Sequence, residues 1–231
     1  MPRPFKRLES VVTSEGLLEL HQRGERDFLL TIAGKVLMTS AIRNSEIELA
    51  QQSCAHIRER SPARVLIGGL GLGYTLRAAL DALRTNARVT VAELNPVVVR
   101  WCRGPLSILT DDSLADPRVS VVEQDVLNVV REALDRPEKQ RYDAIIWDLY
   151  CGPGCGGPLA ADERLYGAAS VKRAHQALNP GGVFAVWGEK RDPTFETRLT
   201  RCGFRVEQTE NSGKGIRHAV YIAVKEHASR I

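Results

Sequence analysis

Residues 65–80, VLIGGLGLGYTLRAAL, constrain the fold of this chain more than any other stretch. They open with a short apolar run that is typical of a strand buried on both faces of a parallel sheet. Gly69, Gly71 and Gly73 follow, and glycine permits positive φ angles and a close approach between the backbone and a ligand. The next residues have the apolar spacing of an amphipathic helix, whose N-terminus presents free N–H groups. Strand, glycine turn and helix together predict a binding site for a nucleotide-like cofactor.

A second predicted strand, residues 88–92, ends at Glu93, about 20 residues beyond the glycine turn. A carboxylate at this position can accept hydrogen bonds from both ribose hydroxyls of a nucleotide-like cofactor. A carboxylate after a strand can also be an ordinary surface residue. The spacing favours the ribose interpretation.

Strands and helices alternate from residue 64 onward, which predicts a doubly wound α/β fold with a mostly parallel, seven-stranded sheet. Residues 1–44 are interpreted as a small N-terminal β element, either a hairpin or a three-stranded sheet, and residues 45–231 as the α/β domain. The last two strands, residues 206–209 and 218–224, are expected to be antiparallel because no helix-sized segment separates them.

Two more carboxylates are placed at the carboxyl ends of strands, where doubly wound sheets bind ligands. Asp125 follows the third strand of the α/β domain, and Asp148 follows the fourth. Asp148 is the first candidate for a catalytic or substrate-orienting residue and is also a candidate cofactor ligand, with a cap of the following loop or helix as the alternative. Asp125 is a candidate cofactor ligand, with a helix N-cap as the alternative.

Residues 149–165 are rich in glycine and proline and are long for a connection, which often marks a functional loop. Tyr150 and Tyr166 either line a pocket there or pack with their hydroxyl groups satisfied. Cys151 and Cys155 could bind a metal or form a redox pair, Cys151 could be a nucleophile, and plain loop thiols are the favoured interpretation. No metal site is predicted, because a zinc site needs about four ligands and the histidines are dispersed.

Composition excludes several classes of protein. With 231 residues, 43% hydrophobic and 26% charged, the chain suits one globular domain with a small appendage. No apolar run approaches the roughly 20 residues of a membrane span, and the basic N-terminus lacks the apolar core of a secretory signal. The net charge of +4 is mild and scattered, so nucleic acid is not indicated. Five cysteines without an export signal suggest reduced thiols in the cytoplasm.

Four segments carry a resemblance to a known family: the glycine stretch, VTVAELNPVVV with Glu93, DPRVSVVEQDV with Asp125, and YDAIIWD with Asp148. They resemble the Rossmann-like fold of class I S-adenosylmethionine-dependent methyltransferases and, within it, the spermidine synthase family of aminopropyltransferases. GKVLMTSAIRNSE is similar to that family's small β domain and the start of its next helix. The resemblance implies S-adenosylmethionine or its decarboxylated form as cofactor, Glu93 as ribose ligand, Asp125 near the adenine, and a homodimer.

The chain also departs from the pattern of family members that make spermidine. Leu72 occupies the place of an aspartate in the glycine loop, and residues 149–153 contain no second carboxylate after Asp148. Leu49 and Ala50 fall where the family has a tyrosine and a histidine or glutamine. These three differences remove polar groups that would hold a cationic diamine.

We therefore expect a small-molecule transferase with Asp148 and Tyr150 as candidate catalytic residues and an acceptor that contains an amine. Methyl transfer is placed slightly ahead of aminopropyl transfer. The alternatives are cyclisation or elimination of the sulfonium compound without an acceptor, and a catalytically silent binding subunit. Glu46 could face the substrate from the first helix, although a carboxylate in a first helical turn is more often a partner of the helix dipole.

Overall fold

The structure is a computed structural model that describes residues 3–135, 137, 140–154, 159–210 and 218–226. For residues 159–162 and 208–210 it describes the backbone. The secondary structure comprises a four-stranded sheet, a seven-stranded sheet and seven α-helices within these ranges. None of these helices combines the length and apolar character that crossing a bilayer requires.

The N-terminal sheet is an antiparallel meander. Its strands, in spatial and chain order, are β1 (Lys6–Thr13), β2 (Gly16–Arg23), β3 (Asp27–Ile32) and β4 (Lys35–Thr39). The prediction of a hairpin or three-stranded sheet missed β1, whose side chains are exposed or half-buried and so lack a clean apolar alternation. One face of the sheet buries Leu18 and Leu20 of β2 and Phe28 and Leu30 of β3.

The seven-stranded sheet confirms the predicted α/β fold. Its strands in chain order are β5 (Arg64–Gly68), β6 (Arg88–Ala92), β7 (Val119–Val122), β8 (Tyr142–Trp147), β9 (Leu178–Gly188), β10 (Phe204–Glu210) and β11 (Ala219–Lys225). Their spatial order is β7-β6-β5-β8-β9-β11-β10. β5 to β9 pair in parallel, whereas β11 is antiparallel to both β9 and β10, as predicted for the last two strands. The order reverses between β5 and β8, where such sheets bind ligands.

Seven helices cover the sheet: α1 (Asn44–Ile57), α2 (Tyr74–Ala82), α3 (Pro96–Arg103), α4 (Val126–Leu134), α5 (Leu159–Tyr166), α6 (Ala168–Ala177) and α7 (Pro193–Arg201). Two short 3-10 turns, Ser107–Leu109 and Ser113–Ala115, lie between α3 and β7. α5 corrects the prediction that residues 149–165 form a loop throughout. The proline and glycine residues that favoured a loop all precede this helix, whose sequence LAADERLY contains good helix formers.

Two hydrophobic cores lie on the two faces of the seven-stranded sheet. One contains Leu49 of α1, Leu76 of α2 and Trp101 of α3, and it is continuous with the buried face of the N-terminal sheet. The other contains side chains of α4, α6 and α7. Because the first core is shared, the N-terminal sheet is held against the same face of the main sheet that α1 and α2 cover.

Candidate active site

The glycine turn joins β5 to α2 and lies against the end of β8. Gly69, Gly71 and Gly73 have positive φ angles of 87°, 52° and 84°. A Cβ atom at Gly69 would overlap the carbonyl oxygen of Asp148, so this position accepts only glycine. The N–H of Asp148 donates to the carbonyl oxygen of Gly68 at 2.9 Å, which fixes the two strand ends side by side. The structure therefore brings the predicted turn and Asp148 together.

Glu93 fastens the end of β6 to the glycine turn. Its Oε2 accepts a hydrogen bond from the N–H of Leu70 at 2.8 Å, and its Oε1 accepts one from the N–H of Asn95 at 2.8 Å. The side chain is buried, which raises its pKa, and these backbone donors act in the opposite direction. The predicted ribose ligand thus lies at the turn, with both oxygens at the carboxyl edge of the sheet.

Asp125 is the N-cap of α4, as the alternative prediction stated. Its Oδ1 accepts from the N–H of Leu127 at 2.9 Å, and its Oδ2 forms an ion pair with Arg164 of α5. The next residue, Val126, packs closely against Gly68. A Cβ atom on Gly68 would lie 2.7 Å from Cγ2 of Val126. Asp125 therefore stands at the same edge of the sheet as the glycine turn, and its contact with an adenine stays a prediction.

Asp148, at the end of β8, lies near a second carboxylate, that of Glu46 in the first turn of α1. Thr75 Oγ1 donates to Asp148 Oδ2 at 2.5 Å and also lies 3.5 Å from the carbonyl oxygen of Glu46. Ser45 Oγ donates to Glu46 Oε2 at 2.6 Å, and both residues are buried. Three elements, α1, α2 and β8, thus assemble one carboxyl pair beside the glycine turn.

The environment of this pair changes the chemistry of Asp148. Burial and the negative charge of Glu46 raise the pKa of Asp148 to about 7, although the hydrogen bond from Thr75 lowers it. The residue as a whole is half-buried. With this pKa, Asp148 can exchange a proton near neutral pH, which suits a general base.

Sequence reasoning underestimated Glu46 and missed Thr75. Glu46 lies in the first turn of α1, where a partner of the helix dipole was the favoured interpretation, but it is also buried and its charge acts on Asp148. The acidic start of the helix after the β element was the available signal. A burial argument could not have been made from the sequence, because Glu46 and Asp148 meet only through the packing of α1 on the sheet.

The two tyrosines of the loop segment have different environments. Tyr150 is 49% exposed and has no hydrogen bond within the described ranges, so its catalytic role stays a prediction. Tyr166 is buried, its hydroxyl donates to the carbonyl oxygen of Cys151, and its ring packs edge-on against Trp147 and Phe195. Tyr166 is thus a packing residue, the interpretation that the sequence favoured.

The cysteines correct one prediction. Cys54, Cys102 and Cys202 are free, as expected for reduced thiols. Cys151 is disulfide-bonded, so the interpretation of a plain loop thiol is wrong for this residue, and its sulfur is not available as a nucleophile. Cys155 lies outside the described residues. Within the described ranges no group of three or more histidine, cysteine or carboxylate side chains is placed to hold a metal ion.

The apolar residues that replace polar residues of the family pattern pack in the core. Leu72, Leu49 and Ala50 are all buried in the core on the α1 face. Met38 of β4 lies against Gly71, where a Cβ atom would overlap its sulfur. The N-terminal sheet therefore contacts the glycine turn directly, and apolar side chains surround the turn on this side.

Comparisons with known proteins agree on one family. The family model described as "Spermine/spermidine synthase domain" matches residues 50–201. A polyamine aminopropyltransferase of Klebsiella pneumoniae (strain 342) is 33% identical over 120 residues, which is 52% of this chain and 38% of that protein. A polyamine aminopropyltransferase of Shigella boydii serotype 4 is 32% identical over 120 residues, again 52% of this chain and 38% of that protein. The aligned region thus spans less than half of each of these curated relatives.

Solved structures share the fold. Spermidine synthase from Thermotoga maritima superposes with a TM-score of 0.72 at 20% identity, covering 96% of this chain and 74% of that chain. A spermidine synthase in complex with the transition state analogue AdoDATO superposes with a TM-score of 0.70 at 19% identity, covering 96% and 73%. At these identities the likeness concerns the fold, and it agrees with the strand order described above.

Proposed function

The chain belongs to the spermine/spermidine synthase domain family, and on that premise we propose that it is an aminopropyltransferase. Its donor would be decarboxylated S-adenosylmethionine and its acceptor a small amine. The family resemblance stated from the motifs is confirmed. Methyl transfer, placed slightly ahead on the sequence, is not supported, because the relatives are named for aminopropyl transfer. Self-association and a cytoplasmic location stay predictions.

The observation that carries the proposal is the pair formed by buried Glu46 and half-buried Asp148. Two carboxylates that share a low-dielectric site repel each other, and a bound ammonium group relieves that repulsion. The apolar residues at Leu72, at Leu49 and Ala50, and after Asp148 predicted too few polar groups for a cationic acceptor. α1 supplies a second carboxylate instead. An amine acceptor therefore fits this site better than a neutral one.

The residues for the donor also fit. The glycine turn lies directly against the end of β8, and the free N–H groups of α2 follow it at the carboxyl edge of the sheet. Glu93 would accept hydrogen bonds from the ribose, and Asp125 would lie near the adenine. When bound, the donor supplies an electrophilic carbon next to a sulfonium sulfur.

The chain's own part in the reaction is to orient the acceptor and to move one proton. Asp148 takes a proton from the bound ammonium group, and the free amine attacks the carbon next to sulfur. The new N–C bond forms as the C–S bond breaks, and its electron pair stays on sulfur in the neutral methylthioadenosine that leaves. Glu46 holds the positive charge that remains on the alkylated nitrogen.

Product analysis tests this proposal. The purified chain is incubated with either sulfonium compound and a panel of primary amines, and nucleoside products are separated by chromatography. We expect methylthioadenosine that depends on both decarboxylated S-adenosylmethionine and an amine. S-adenosylhomocysteine would instead show methyl transfer, release of methylthioadenosine without amine would show elimination or cyclisation, and no product would indicate a silent subunit.

A matched pair of variants on α1 tests the carboxyl pair. Glu46→Gln removes the charge beside Asp148, and we expect kcat/KM for the amine to fall about a hundredfold, as for loss of a buried charged hydrogen bond. Glu48→Gln makes the same change two positions along the helix. Glu48 is not part of the carboxyl pair, and its Oε1 accepts a hydrogen bond from Gln52 Nε2 at 2.8 Å. Equal rates for the two variants would contradict the assignment.

A further inference from the structure

The proposed reaction leaves two aromatic side chains near Asp148 without a role. The rings of Trp187 and His218 lie with centroids 5.0 Å apart and planes inclined by 39°. Trp187 is near the end of β9, and His218 directly precedes β11, whose first residue, Ala219, pairs with Gly188 of β9. The ends of two neighbouring strands therefore hold the two rings together at the carboxyl edge of β9.

Strand register places Trp187 beside Asp148. Trp147 of β8 pairs with Val186 of β9, so Asp148 and Trp187 occupy the next position on adjacent parallel strands. Trp147 and Val186 belong to the core on the α4 face, whereas Trp187 packs against the core on the α1 face. Successive side chains of a strand alternate between faces, and the Asp148 carboxylate accepts from Thr75 of α2, a helix on the α1 face. Trp187 and Asp148 are therefore neighbours across two adjacent strands on the α1 face.

Both rings carry a nitrogen that lacks a partner. Trp187 Nε1 and His218 Nδ1 are buried, and neither has a hydrogen-bond partner in the part of the chain that the structure describes. Buried polar groups in proteins are nearly always hydrogen-bonded, so unpaired ones at a ligand site indicate a ligand atom. An indole N–H is a donor only, so its partner must be an acceptor. A second ammonium group of a diamine has no lone pair and cannot fill that place.

Trp147 shows why this argument applies to Trp187 in particular. Trp147 Nε1 is also buried without a partner among the described residues, but its ring lies edge-on to Tyr166 and Phe184 inside the opposite core. In the described part of the chain no second unpaired nitrogen lies against its ring, and it is on the opposite face of the sheet from Asp148. At Trp187 two rings with unpaired nitrogens pack together, and Asp148 is at the neighbouring strand position on the same face.

We infer that the acceptor of the proposed transferase is an amino carboxylate, whose amine meets Glu46 and Asp148 and whose carboxylate is received by Trp187 and His218. This inference rests on the proposed function. A carboxylate offers one oxygen to the indole N–H and one to a proton on Nδ1 of the imidazole. The methylene groups between the two ends would pack on the ring faces. Trp187 and His218 are then specificity-determining residues rather than catalytic ones.

Calorimetric titration with matched compounds tests this inference without turnover. The probes are α,ω-diamines and ω-amino carboxylates with chains of three to six carbons, added to the protein with methylthioadenosine present. At the best chain length we expect the amino carboxylate to bind about tenfold more tightly than the diamine, as for one hydrogen bond to a charged group. Trp187→Phe keeps a ring but removes the N–H, so it should abolish this preference. Trp147→Phe makes the same change on the opposite face and should retain it.

The outcomes separate the inference from the proposed function. Equal or tighter binding of diamines at every length, or a preference that survives Trp187→Phe, overturns the inference, while amine-dependent methylthioadenosine release still supports aminopropyl transfer. A preference that depends on Trp187 without any turnover supports the binding site and overturns the proposed function. His218→Phe, which also keeps a ring and removes the nitrogen, gives the same test if Trp187→Phe does not fold.

Discussion

The carboxylates at the ends of β6 and β8 differ in how the protein compensates their charge. Glu93 receives backbone N–H groups on both oxygens, from the glycine turn and from the start of α3. Asp148 receives one hydroxyl group and faces the like charge of Glu46. The proposed donor half of the site is therefore satisfied by the fold itself, whereas the proposed acceptor half stores repulsion that a cationic ligand would relieve.

The difference has a functional meaning. A carboxylate that is held by backbone donors keeps its position and orientation before a ligand arrives, which favours binding. A carboxylate with a pKa raised to about 7 can take and release a proton, which favours chemistry. The predictions below test this contrast in order of decreasing expected effect.

Asp148→Asn should lower kcat/KM about a thousandfold, within the range for loss of a general base. The amide keeps an oxygen for Thr75 but cannot accept the proton of the ammonium group. Steady-state release of methylthioadenosine measures the effect, and dissociation constants for the donor serve as the control. A loss of donor binding of the same size would place Asp148 in the donor half and break the comparison.

Glu93→Ala should weaken donor binding about a hundredfold, because two hydrogen bonds to a charged group are removed. Glu123→Ala is the matched control, since Glu123 follows the end of β7 and is exposed. Titration with methylthioadenosine measures both variants, and thermal melting reports how much Glu93 also stabilises the turn. Wild-type affinity in Glu93→Ala would remove the ribose assignment.

The contribution of Asp148 to the stability of the wild type should fall as pH rises from about 4 to about 7. The pKa of Asp148 is higher in the folded state than its ordinary value, so the folded protein binds more protons in this window and loses that advantage as the proton leaves. Asp148→Asn has no such proton. From pH 5 to pH 8 we expect its stability relative to wild type to increase by about 2.6 kcal/mol.

Urea unfolding at the two pH values measures that increase. Glu48→Gln, which leaves the carboxyl pair unchanged, should show a constant difference from wild type. A constant difference for Asp148→Asn as well would mean that Asp148 titrates normally, and the contrast with Glu93 would lose its electrostatic basis.

Asp125→Ala should destabilise the protein by about 1 kcal/mol, the usual cost of a lost N-cap. Asp125→Asn keeps an acceptor for the N–H of Leu127 and should restore most of this stability. Comparing donor binding in the two variants sharpens the assignment, because a contact with the adenine predicts weaker binding in both. Unchanged binding in both variants would make Asp125 a cap only.

Local sequence patterns were sufficient to predict the elements of the proposed donor half of the site. The glycine turn, the strand before it, the helix after it and the carboxylate of Glu93 all follow from residue types at short spacing, since backbone geometry dictates where glycine is required. The alternation of strands and helices likewise predicted the sheet, including its antiparallel end. What local patterns did not reveal was β1, whose half-exposed residues carry no periodic signal, and α5, which follows a segment rich in glycine and proline.

The acceptor half was decided only by tertiary structure. Glu46 lies on α1, Asp148 on the end of β8 and Trp187 on β9, and no spacing along the chain connects them. Their proximity depends on which face of the sheet α1 covers and on the register between β8 and β9. The sequence by itself determined the fold class and the turn that would hold a nucleotide-like donor. Long-range packing determined where the charges meet, because burial and the distance between like charges exist only in the folded chain.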